Sequence, residues 1–131
     1  MDGTYRKFLE SGLDLTALGV ERRADNEPYF CTPKGANIFG WAGVDGIHFC
    51  FVRGFGTQIF AVSPANAPGK FVHPIAADFA DFLRLLLACG DSAALEQAWM
   101  WDEGTFDTFL RENPPTPEQR SVLEQLSETL D

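Results

Sequence analysis

The sequence predicts an α+β fold, an antiparallel sheet of about five or six strands with an N-terminal helix and a helical C-terminal third packed against it. Three observations predict it. Short, aromatic, glycine-punctuated runs fill the stretch from Tyr29 to Ile75. At Asp78 the hydrophobic period changes from strand-like alternation to helical spacing. The connections between the runs are too short to hold the crossover helices of a parallel sheet.

Each element follows from local chemistry. In Thr4 to Gly12, Tyr5, Phe8 and Leu9 fall at i, i+3 and i+4, which predicts a short helix ended by glycine. Gly19 to Glu27 is polar and reads as a loop. Tyr29 to Thr32 is β-favouring and bounded by Pro28 and Pro33, and Asn37 to Ala42 reads as the next strand. A tight turn built on Asp45-Gly46 leads into Ile47 to Val52. In that run Ile47, Phe49 and Phe51 point one way and His48, Cys50 and Val52 the other. Both sets are largely apolar, so the strand is expected to be central. Gly54 and Gly56 flank Phe55 in a turn, Gln58 to Val62 forms another strand, and Phe71 to Ile75 forms an edge strand limited by Pro74.

Asp78 then caps a helix in which Phe79, Phe82, Leu83, Leu86 and Leu87 share one face, and Gly90 ends it. Asp91 or Ser92 starts a second helix through Ala94, Leu95, Ala98 and Trp99. Phe106, Phe109 and Leu110 mark a third beyond Asp102 to Thr105, after the Trp99-Met100-Trp101 cluster. Pro114 and Pro115 interrupt the chain, and Thr116-Pro117-Glu118-Gln119 opens the last helix as a capping box with proline at its first position. Its apolar stripe is Val122, Leu123, Leu126 and Leu130. The expected core joins Phe49, Phe51, Phe60, Phe79, Phe82, Leu83, Leu86 and Trp99.

With 131 residues, of which 45% are hydrophobic and 13% aromatic, one domain over residues 1–131 can fill a core without disulfides or metal. No apolar run resembles a signal-peptide core or a membrane span, and Cys31, Cys50 and Cys89 are odd in number and set among apolar residues. A cytoplasmic protein with reduced thiols is the expectation. The net charge of −9 is unevenly placed. Up to Ala77 seven acidic residues balance seven basic ones, whereas from Asp78 onward twelve carboxylates face only Arg84, Arg111 and Arg120. Such a surface excludes nucleic acid as a natural partner and suits a basic protein.

The candidates for chemistry are sparse. His48 and Cys50, two apart on one strand face, are spaced as a Cys–His pair, but Cys50 sits between Phe49 and Phe51, where an inert thiol is expected. His48, His73, Cys31 and Cys89 contain no close-spaced ligand pair, so no metal and no cofactor is expected. Gly40, Gly43, Gly46, Gly54 and Gly56 lack a P-loop ending and read as turn glycines. Asp102, Glu103 and Asp107 beside Trp99 and Trp101 combine carboxylates with aromatics. Helix capping accounts for acids at that position, and the exposed remainder suits a cationic protein partner.

Gly40-Trp41 before a turn, the Phe49 to Val62 hairpin, and above all Val72-His73-Pro74-Ile75-Ala76-Ala77-Asp78-Phe79-Ala80-Asp81-Phe82-Leu83 resemble the SUKH superfamily, which includes fungal cell-wall-synthesis regulators and many bacterial immunity proteins. Asp78, Phe79, Phe82 and Leu83 match that family's "x-S/D-F-x-x-F-L" helix start, within a resemblance covering roughly Asn37 to Gly90. The family's "L-P-x-x-Y/F-x-x-F" segment is not evident between Gly12 and Pro28, which makes the chain a divergent member. The resemblance implies an α+β domain that acts by binding, many bacterial members neutralising a toxin, and it carries over no catalytic residue. Two functions are therefore expected from the sequence. One is a non-catalytic immunity protein that blocks a toxin, with a basic nuclease the partner its charge suits. The other is a small-molecule-binding or hydrolytic domain that uses the His48/Cys50 sheet face.

Overall fold

The computed structural model describes residues 3–23, 26–43, 46–64, 69–97 and 102–130. Helix α1 (Gly3–Ser11) and a 3₁₀ turn (Thr16–Leu18) precede strands β1 (Ala36–Ala42), β2 (Ile47–Val52), β3 (Ile59–Val62) and β4 (Val72–Ala76). Helices α2 (Phe79–Cys89), α3 (Ser92–Gln97), α4 (Glu103–Glu112) and α5 (Pro117–Leu130) follow. The strands form one antiparallel meander in the order β1-β2-β3-β4. The order of helix, sheet and helices is the expected α+β arrangement, but the described sheet has four strands, not five or six.

The missing strand is Tyr29 to Thr32. Its backbone closes on itself: the Thr32 N–H donates to the Tyr29 carbonyl at 3.0 Å, and the Tyr29 N–H donates to Thr32 Oγ1 at 2.8 Å. Pro28 and Pro33 have no N–H to offer a neighbouring strand, so β-favouring side chains here serve a turn. Among the strands that form, β2 is central and β4 lies at an edge, as expected. The Ser63 N–H donates to the Phe71 carbonyl at 2.8 Å, which places Pro74, opposite Phe60, in a non-hydrogen-bonded pair. Pro74 thus turns its missing donor to the open edge and blunts it against further pairing.

The two faces of β2 bury two separate clusters. Phe49 lies on the helix-covered face with Phe8, Phe39, Phe79, Phe82, Leu83, Leu86 and Leu126, and Phe51 packs against them half-buried. On the opposite face Cys50 and Val52 pack with Ile38, Trp41, Phe60 and Val62. Phe60 was expected in the first cluster and belongs to the second, because the register sets it opposite Cys50, not Phe49. Trp99, also expected in the core, lies outside the described residues together with Ala98, Met100, Trp101 and Asp45.

Helix α2 is built as its sequence requires. The Asp78 carboxylate accepts the Asp81 N–H at 2.8 Å, and the Asp81 carboxylate returns the contact by accepting the Ala77 N–H at 2.9 Å. Gly90, at φ 79°, closes the last turn through its N–H to the Leu86 carbonyl. Phe79, Phe82, Leu83 and Leu86 are sealed against the sheet and Leu87 is half-buried. Each sealed side chain contributes about 1.5–3 kcal/mol from its removal from water.

Helix α5 starts with the expected reciprocal cap. The Gln119 N–H donates to Thr116 Oγ1 at 3.1 Å, and Gln119 Oε1 accepts the Thr116 N–H at 3.0 Å. Gln119 Nε2 donates further to the Ala17 carbonyl at 3.0 Å and to Asp91 Oδ2 at 2.8 Å, tying the 3₁₀ turn and the start of α3 to α5. Replacing Phe82 by Ala should destabilise the fold by about 3 to 5 kcal/mol in denaturant unfolding. A loss below about 1 kcal/mol, the range of surface substitutions, would show that the α2 face is not the core contact.

Candidate functional site

The face of the sheet away from α2 is covered by an irregular segment, residues 26–35, which forms a strap over the second cluster. Asn26 anchors one end: its Oδ1 accepts Trp41 Nε1–H at 2.9 Å and its Nδ2 donates to the Ile38 carbonyl at 3.2 Å. Tyr29 packs on Trp41 and His48, with ring centroids at 5.8 and 6.2 Å. It occupies the space a side chain at Gly46 would fill, since a Cβ there would lie 2.4 Å from the Tyr29 ring. Cys31 packs on the cluster beneath. Arg23, paired with Glu21 at 2.9 Å, lies 4.7 Å above the Trp41 ring and donates to the Gly43 carbonyl.

His48 is closed in under this strap, with no solvent-accessible surface. Nδ1 lies 2.8 Å from the Gly46 carbonyl, which accepts only, so Nδ1 carries the proton. Nε2 then accepts from Thr32 Oγ1 at 2.9 Å, while that same oxygen accepts the Tyr29 N–H. Both ring nitrogens are thus satisfied in the neutral form. Burial lowers the His48 pKa from its ordinary 6.5, against a smaller opposing effect of the Gly46 carbonyl. Cys50 shares this face and is also sealed, and burial pushes its thiol up to about 12. The spacing expected for a Cys–His pair is therefore realised as shared burial: His48 spends both nitrogens on the strap and the turn, and Cys50 stays a thiol at neutral pH.

The four residues weighed as metal ligands are dispersed. Cys31 packs on the strap side, Cys89 packs on the α2 side, and His73 Nε2 bonds the Lys70 carbonyl at 2.8 Å. Among the described residues no group of three His, Cys, Asp or Glu side chains is placed to hold a metal ion. The three cysteines are free thiols, each raised in pKa by burial. Gly54 and Gly56, at φ 91° and 63°, lie in the β2–β3 turn, where the Phe55 N–H bonds the Val52 carbonyl at 3.0 Å. They serve backbone geometry.

Asp102 caps α4, Glu103 is its first residue and Asp107 lies one turn further along, and all three are exposed. Asp102 is the cap: it accepts the Thr105 N–H at 2.7 Å, and that bond, with a second from the Thr105 side chain, holds its carboxyl below the usual range. Glu103 and Asp107 sit one turn apart on the same side of the helix. Trp99 and Trp101, expected beside them, lie outside the described residues. A further acidic feature was not read from the sequence. A groove of about 950 Å³ between the 3₁₀ turn and α5 is lined by Asp14, Glu118 and Glu128, with no basic side chain in its walls. Only the tertiary approach of two distant segments creates it.

No family model, curated protein or solved structure matches this chain. No helix among the described residues is long and apolar enough to cross a membrane.

A neutral His48 makes the stability pH-dependent with a definite sign. Its folded-state pKa lies below 6.5, so the unfolded chain binds more protons as the solution is acidified. The contribution is complete above pH 6.5 and is lost as pH falls through the folded-state value. Titration of the His48 ring by NMR should give a midpoint below 6.5, with the Thr32 and Tyr29 amide signals moving in step. A midpoint at or above 6.5 would show that the imidazole is not held neutral by its surroundings.

Proposed function

We propose that this chain is a non-catalytic protein-binding module of the immunity type, which neutralises a basic toxin in the cytoplasm by covering it with an acidic surface. One observation carries the reading. Asp102, Glu103, Asp107, Glu112, Glu118, Glu124 and Glu128 are all exposed on α4, its cap and α5, and the one ion pair among the described residues, Arg23–Glu21, involves none of them. Their negative field is thus available to a partner. A nuclease, whose own site must be positive to hold nucleic acid, is the toxin this field suits best. The acid-lined groove beside α5 adds concavity to the same charge. The resemblance to the SUKH immunity proteins supports the same class of function.

The alternative built on His48 and Cys50 has no support from the geometry, because both are sealed beneath the strap, His48 with both ring nitrogens bonded internally and Cys50 with its thiol held protonated by burial. Cys50→Ala should lower stability and leave toxin neutralisation unchanged. Lost neutralisation in a variant that remains folded would return the sheet face to consideration as a reactive site.

Co-expression with the product of the neighbouring gene tests the function directly: restored growth and a purified complex are expected, and continued toxicity without a complex would overturn the proposal. Replacing Asp102, Glu103 and Asp107 by Asn, Gln and Asn should slow association with that partner by about tenfold at low salt and flatten the salt dependence, because exposed charges act chiefly on encounter. Association rates equal to those of the unmodified protein at both low and high salt would remove α4 from the interface.

A further inference from the structure

Among the described residues, the large apolar side chains most exposed to solvent, Phe30 at 78%, Phe55 at 58% and Tyr29 at 42%, are all on the strap or the β2–β3 turn. None lies on the acidic helices. Phe30 packs edge-on against Phe71 at 5.4 Å, and Phe55 packs edge-on against Phe60 at 5.5 Å. Phe71 faces Ser63 just past the end of β3 and Phe60 stands near its start, so the two aromatic pairs mark opposite ends of one strand, roughly 10 Å apart. Cys31, Val62 and Val72 belong with Phe60 to the cluster beneath the strap.

The charges around these rings are of the opposite sign to those of α4 and α5. Lys70 adjoins Phe71, and Lys34 follows the strap down to Gly35, whose carbonyl accepts the Arg53 N–H at 3.0 Å. Lys34, Arg53 and Lys70 are exposed and enter no ion pair among the described residues. A groove of about 780 Å³, with Asn37, Phe51 and Thr57 in its walls, opens beside Arg53. Glu27 is the described acid of the strap, and it precedes the turn that carries the aromatics. Nothing in the fold requires Phe30 to stand in water, since Asn26, Tyr29 and Thr32 already fasten the strap.

We infer that the strap and the β2–β3 turn form a second docking surface, separate from the acidic helices, for an acidic peptide segment that carries a large apolar side chain. That side chain packs on the exposed face of Phe30 beside Phe71, and its flanking carboxylates meet Lys34, Arg53 and Lys70. Aromatic anchors ringed by exposed charge are the usual arrangement of a binding hot spot. A nucleic acid would meet three cations on a molecule of net charge −9 and find too little to offset its phosphates.

Panning a randomised peptide display library against the intact protein tests this. Enriched peptides should carry a large apolar residue flanked by Asp or Glu. A synthetic copy of the best one should lose affinity about tenfold or more against Phe30→Ser, and also its salt dependence against Lys34→Gln/Arg53→Gln/Lys70→Gln. All four positions are exposed, so folded variants are expected, and the far-ultraviolet circular dichroism and urea midpoint check this. Selected peptides without an acidic excess, or peptides that bind Phe30→Ser as well as the parent, would overturn the inference. So would tighter binding of anionic lipid vesicles or single-stranded oligonucleotides than of the selected peptides, since the surface would then serve a different class of partner.

Discussion

The structure depends on one extra residue in β1. Ile38 pairs with Cys50 and Gly40 with Phe49, so Phe39 is a bulge with no partner of its own across the ladder. With unbroken alternation Phe39 and Trp41 would point to the same face. The bulge separates them: Phe39 goes to the helix side, where it touches Tyr5, Phe49, Phe51, Phe79 and Phe82, and Trp41 goes to the strap side beside His48. Gly40 makes the bulge possible, because a Cβ there would come within 2.6 Å of Val20. The Glu21–Trp41 backbone pair then draws the loop after Val20 onto the edge of β1. Both cores and the seat of the strap thus follow from a single register change.

The strap side shows how polar groups are accommodated in so apolar a protein. His48 and Trp41 each bring a ring nitrogen into the interior, and leaving one unpaired would cost about 1–3 kcal/mol. Each finds a partner within the strap, the β1–β2 turn or the backbone, and no described buried side-chain nitrogen or oxygen lacks one. The bonds are linked. Thr32 Oγ1 donates to His48 and at the same time accepts from Tyr29, and the Tyr29 ring occupies the space a side chain at Gly46 would fill. An imidazole at this site therefore has a structural role that its chemical versatility does not reveal.

The elements legible in the sequence are those whose determinants lie within a few residues of each other. The Asp78 cap, the Gly90 stop and the Thr116–Gln119 box are local, and the structure contains each as read. The alternation of β2 was equally legible, including which residues share a face. Which face of β3 matches it was not, because the six-residue connection from Arg53 to Gln58 does not fix a register in the way a two-residue hairpin does. Phe60 was misplaced for that reason. The β-favouring side chains of Tyr29 and Phe30 predict a strand, whereas the conformation of the strap is decided by flanking prolines and by a histidine 16 residues away from Thr32. At the candidate site, the place of Asp102 and Glu103 at a helix start follows from local sequence, but the groove lined by Asp14 and Glu118 joins segments too distant for any local pattern to predict.

The asymmetry of charge has a consequence for how a partner approaches. Seven exposed carboxylates on α4, its cap and α5, and three exposed cations around an aromatic strap, make a molecule whose field depends on direction as well as on its net charge of −9. At physiological ionic strength the field of each group is damped over about 8 Å, so a partner close to one surface responds to that surface and not to the sum. A basic protein is drawn to the helices and repelled by Lys34, Arg53 and Lys70, which narrows the orientations it samples before contact. An acidic segment is drawn to the strap only after it has come within that short range, since farther out the net charge repels it. Encounter at the helices would thus depend on screened charge attraction, whereas retention at the strap would rely on Phe30 and Phe55, whose apolar contact is insensitive to this screening. On the proposed readings, the two surfaces would serve different kinetic tasks, fast capture of a basic partner on one and selective retention of an acidic segment on the other.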